Sequence, residues 1–222
     1  MSRPTIPALL AAWRLAPDHV QLSDGASPDS LSAAERELGV DLPEELKELY
    51  LSTDGVTLDR GDLTLFTARG SEEELGLSDA TATYRAWDWG LPEQVVLIGS
   101  DGGDSVFGVW SGKGAARAIV VQGEVSLGDP AMAVVGTSLA GFLAAWTAYY
   151  LPMVHGMNAQ VLAVLDALQV PEALREGESE FDDEHVQALL AWGSADLPDD
   201  EPDPYARPVS VAELEALATT SP

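Results

Sequence analysis

The stretch EQVVLIGSDGGDSVFGVWSG, residues 93–112, reads as two strands folded back on one another. Val95 to Ile98 form an apolar run, residues 99–104 are rich in Gly and Asp, and Val106, Phe107, Val109 and Trp110 resume the apolar pattern. Glycine and aspartate supply the backbone freedom that a tight reversal needs, so the segment predicts an antiparallel hairpin. Its Gly-rich centre lacks the Lys-Ser/Thr ending of a phosphate loop.

Working outward, VTLDRGDLTLF (residues 56–66) alternates around Gly61 and predicts a second hairpin, and AARAIVVQGEV (residues 115–125) predicts a further strand. Helical signals flank these strands. Ile6, Leu9, Leu10 and Trp13 make one stripe, and Ser32 with Glu35 suggests a capping box for a helix that Gly39 closes. Pro43, with Glu44 and Glu45 behind it, opens a helix burying Leu42, Leu46, Leu49 and Tyr50. Ser138 caps a closing helix through Leu139, Phe142, Leu143, Trp146, Tyr149 and Tyr150, expected to stop at Pro152. Residues 18–30 read as turns, and residues 71–85 as a loop with one helical turn. Further helices are expected at 159–168, 183–192 and 210–217. Sequential strands between helices give an α+β fold, an antiparallel β-sheet flanked by N-terminal and closing helices. We expect a domain over residues 1–151, its core at about 30–150, and an acidic helical extension over 152–222.

The charge is the most unusual property of the chain. Its 222 residues carry 37 acidic against 11 basic side chains, a formal net charge of −26, yet 46% are hydrophobic, enough for a folded core. Such a surface repels nucleic acid and anionic membranes, and it attracts basic proteins. Cysteine is absent, which excludes disulfides and thiolate sites and fits a cytoplasmic protein. The N-terminus shows no signal-peptide pattern, and no apolar run reaches the length of a membrane span.

Catalytic signatures are scarce. His19, His155 and His185 are far apart and fit no metal-ligand spacing. GTSLAG, residues 136–141, has one residue too many for a nucleophile elbow. Asp54, Asp59 and Asp62, like Asp101 and Asp104, lack the spacing of a calcium loop. We therefore expect no enzyme activity, cofactor or metal. Strand-joining loops gather at the ends of an antiparallel sheet, so Asp59, Asp62, Asp101 and Asp104 are expected on one rim that binds a partner. Trp87 and Trp89 are its candidate anchors.

Three segments resemble the SMI1/KNR4 family of the SUKH superfamily. AERELGVDLPEELKELYLSTDG (residues 34–55) matches through Leu38, Gly39, Leu42, Pro43, Lys47, Tyr50, Asp54 and Gly55. VLIGSDGGDSVFGVW (residues 96–110) resembles the central hairpin, and SLAGFLAAW (residues 138–146) the closing helix. The resemblance implies a bacterial immunity protein that binds a cognate toxin domain of a polymorphic toxin system, often a nuclease. Fungal relatives imply an alternative role as a regulatory interaction module, here with an acidic C-terminal part recruiting a basic partner. A carboxylate-based hydrolase is a third, more distant reading.

Overall fold

The computed structural model describes residues 4–59, 63–71, 75–86, 91–112, 118–124, 132–175, 183–194 and 210–219. Thr5 caps α1 (Ile6–Trp13), which has Pro7 in its first turn and buries Ile6, Leu9, Leu10 and Trp13. A tight turn leads into β1 (Val20–Leu22). α2 (Pro28–Leu38) starts a full turn before the expected capping box, because Ser27 caps it and Pro28 arrives with a helical φ already set. Glu35 of the expected box does other work: its Oε1 accepts from Leu42 N at 3.0 Å and pairs with Lys47 Nζ at 2.9 Å. Gly39 closes the helix in the left-handed conformation (φ 71°).

α3 (Glu44–Ser52) follows Pro43 and buries Leu46, Leu49 and Tyr50. β2 (Val56–Leu58) and β3 (Leu63–Leu65) pair antiparallel, as their alternation predicts. Where the sequence suggests a loop with one helical turn, the chain forms a ten-residue helix, α4 (Leu77–Ala86), whose weak apolar stripe of Leu77, Ala80 and Thr81 is buried against β4 (Val95–Ser100). β4 carries a bulge between Leu97 and Gly99, and Thr81 Oγ1 accepts the N–H of Leu97 at 3.0 Å. β5 (Ser105–Trp110) completes the hairpin, followed by β6 (Val120–Glu124) and β7 (Ala133–Gly136). Among the described residues the seven strands form one antiparallel sheet in chain order, β1 to β7.

Ser138 caps α5 (Leu139–His155) by accepting from Gly141 N. α5 does not stop at Pro152 but includes it and ends one turn later at Gly156, whose N–H bonds the Pro152 carbonyl. Proline gives up its own N–H and crowds the carbonyl four residues earlier, but with only Met153 to His155 left beyond it the helix completes its last turn and closes at Gly156. α6 (Ala159–Ala167), α7 (Asp183–Gly193) and α8 (Val211–Thr219) follow at the expected places, α8 with its Ser210–Glu213 capping box formed. Phe107 meets Phe142 and Trp146 of α5, at ring centroids 5.1 and 4.8 Å apart. Val161, Val164 and Leu165 of α6, Leu189 and Leu190 of α7, and Leu214 of α8 join this hydrophobic core.

Candidate functional site

Strand order fixes which loops meet. Thr64 pairs with Ser100 and Ser105 with Glu124, so the β2–β3 and β4–β5 connections lie at one end of the sheet. β1 also begins there, with Val20 opposite Leu58. Asp101 and Asp104 sit in the β4–β5 turn. Asp101 Oδ1 accepts from Gly103 N at 2.9 Å and from Ser105 N at 3.0 Å, so this carboxylate shapes the turn. Asp104 is exposed. Tyr84 of α4 has its hydroxyl pKa raised, first by burial and then by the negative charge of Asp101. Asp62, Trp87 and Trp89 lie outside the described residues.

Asp59 follows β2 at the same end of the sheet, with a positive φ of 29°. It is half-buried and faces two residues that spacing alone did not bring together. His19 directly precedes β1, and its carbonyl accepts the Asp59 N–H at 2.8 Å. His155 is the last residue of α5; its ring stacks on that of His19 at 3.7 Å, and its Nε2 lies 3.0 Å from Asp59 Oδ1. A donor nitrogen or oxygen from each of the three side chains lies within 4.8 Å of the others. No pattern in the chain announces this cluster. Its members come from a turn, a hairpin and a helix end, and only sheet registration and helix length bring them together.

The most specific sequence pattern turns out to serve the fold. Leu42 is buried, Gly39 ends α2, and Lys47 is tied to Glu35. That pairing raises the Lys47 pKa, chiefly through the hydrogen bond to Glu35. Tyr50 donates its hydroxyl to the Phe66 carbonyl at 2.6 Å, Asp54 Oδ1 accepts from Ala68 N at 2.6 Å, and Gly55 has a φ of 94°. Glu45, one residue beyond Glu44, reaches the start of α5: its carboxylate accepts from Ser138 Oγ and from the N–H groups of Leu139 and Ala140, at 2.8 to 3.0 Å. Comparison with protein families matches residues 25–145 to the SMI1/KNR4 family (SUKH-1). The chain belongs to the SMI1/KNR4 family. A comparison with curated proteins found no match. The SMI1/KNR4 match takes in α2 to the middle of α5, including Asp59, Asp101 and Asp104. His19 and His155 lie outside the matched residues, His19 before them and His155 at the far end of α5, the helix in which the match stops. Among the described residues no helix is long and apolar enough to cross a membrane.

Proposed function

We propose that this protein is a non-catalytic immunity protein that binds and neutralises a cognate basic toxin domain, such as a nuclease, of a bacterial polymorphic toxin system. Membership of the SMI1/KNR4 family is the observation that carries the reading. Its signature residues are committed to caps, a buried tyrosine bond and an ion pair, which supports binding over catalysis. A nuclease holds phosphates with cationic side chains, and an inhibitor of charge −26 can occupy the same groups and be steered to them.

We place the contact surface on the acidic sheet end, through Asp101 and Asp104, with Asp59, Asp62, Trp87 and Trp89 as its remaining candidates. In this reading residues 1–151 form the binding domain, 152–222 a helical extension, and the protein acts in the cytoplasm. The test is co-expression with toxin domains encoded beside its gene, scored by survival of the host cell. Rescue from one toxin, matched by a purified complex, is the expected result. Failure to rescue from any adjacent toxin, together with capture of a basic regulatory protein, would favour the interaction-module alternative.

A further inference from the structure

We propose that His19, Asp59 and His155 form a binding site for a late first-row divalent cation, of the kind zinc represents. Two imidazoles and one carboxylate are a common zinc donor set, and the imidazoles select against calcium and magnesium, which prefer all-oxygen sites. Three observations place the ion here. Donor atoms of the three side chains lie within 4.8 Å of one another. The Nε2 of His155 is buried and has no hydrogen-bond partner, although Asp59 Oδ1 is only 3.0 Å away, because that oxygen lies off the line a hydrogen bond requires. An off-axis N···O approach is what two ligands of one ion show: bonds of about 2.0–2.1 Å at a tetrahedral centre set donors about 3.3 Å apart. Third, the cluster lines a cavity of about 290 Å³ with Asp18 and Gln21, which leaves room for water at a fourth position.

The backbone around the cluster is held. His19 N–H bonds Ala16 O at 3.0 Å, Asp59 N–H bonds His19 O at 2.8 Å, and α5 is closed by the Gly156–Pro152 bond at 2.8 Å. Closing the donor set from within 4.8 Å to about 3.3 Å then falls to side-chain rotation, with the cavity that His19 lines as the open space beside it. A bound cation would tie the α1–β1 turn, the end of β2 and the end of α5 together, joining residues on both sides of the matched segment to Asp59 within it. The cation would take Asp59 from the proposed contact surface and leave Asp101 and Asp104 to it, and the site does not rest on toxin binding.

The experiment is zinc binding to the full chain in excess magnesium, which saturates sites made of carboxylates alone. One zinc per chain is expected, with a rise in melting temperature. His19→Asn and His155→Asn should each weaken binding at least about 100-fold, and Asp104→Asn should leave it unchanged. Cobalt should give the intense visible absorption of a tetrahedral site in the wild type and lose it in the histidine variants. A readout on the unmodified protein covers variants that fail to fold: zinc should shift the ring signals of His19 and His155 and leave those of His185 in place. Uptake that magnesium abolishes, binding indifferent to both histidine substitutions, or ring signals that do not move would each overturn the site.

Discussion

Tyr50 shows how closely this fold restricts a single side chain. Its hydroxyl is fully buried and bonded to the Phe66 carbonyl, and burial, followed by the nearby charge of Asp54, raises its pKa far above the ordinary 10.0. The folded protein thus keeps a proton that the unfolded chain releases above about pH 10, so stability is fully present below that value and falls as pH rises through it. The slope approaches about 1.4 kcal/mol per pH unit while only the unfolded tyrosine ionises. Urea titrations from pH 9 to 11.5 should show this alkaline decline, and Tyr50→Phe should flatten it while costing about 1 kcal/mol at neutral pH from the lost hydrogen bond. A variant whose alkaline slope equals that of the wild type would remove Tyr50 as the source. Tyr50 was legible in the sequence as a core residue on an apolar stripe. Its carbonyl partner was not, because hydrogen bonds between distant segments leave no periodicity.

At the level of helices and strands, apolar period and cap chemistry carried most of the information. Both hairpins and the helices after residue 159 stand where their patterns put them, and Ser138 is the cap that its position suggests. α4 is legible in the sequence only as one helical turn within a loop, because its buried stripe relies on Ala80 and Thr81, small or polar residues that become core only when a sheet is laid against them. The start of α5 likewise depends on a residue far away. Glu45 brings three donors onto one carboxylate, two of them N–H groups that a helix start leaves without partners. Glu45→Ala should cost about 2 kcal/mol, measured by urea unfolding, with Glu45→Gln intermediate because it keeps an acceptor and loses the charge. Equal loss in the two variants would mean the charge contributes nothing. The crossing of α5 and α7 is set by backbones in contact: a Cβ on Gly193 would come within 2.2 Å of the Gly141 carbonyl oxygen, and one on Gly141 within 1.9 Å of the Gly193 carbonyl oxygen. Gly193→Ala must displace α7 and should cost about 3 kcal/mol or more, with amide exchange in α7 accelerating before exchange in β4 and β5. Unchanged exchange in α7 would show that the crossing relaxes freely.

For the molecule as a whole, the candidate surface was legible in outline and not in detail. Loop placement in an antiparallel sheet follows from strand order, which is why the sequence alone suffices to put Asp101 and Asp104 at one end. Which carboxylates point outward could not, and the structure separates them: Asp101 holds its own turn, Asp59 faces His155, and Asp104 is exposed. This separation sharpens the test of the proposed electrostatic mechanism. Replacing Asp101 by lysine would change charge and turn geometry together, so Asp101→Asn, which retains an acceptor oxygen, and Asp104→Lys are the informative variants. If a basic partner is steered to this end of the sheet, Asp104→Lys should slow association several-fold at low ionic strength and leave dissociation nearly unchanged, because rim charges act mainly on encounter. The difference should shrink as added salt shortens the screening length from about 30 Å at 0.01 M to about 8 Å at 0.15 M. Asp101→Asn should give a smaller effect of the same sign. Stopped-flow association at both salt concentrations decides the matter: rates that fall with salt in the wild type but are untouched by either substitution would leave long-range attraction intact and move the binding surface away from the β4–β5 turn.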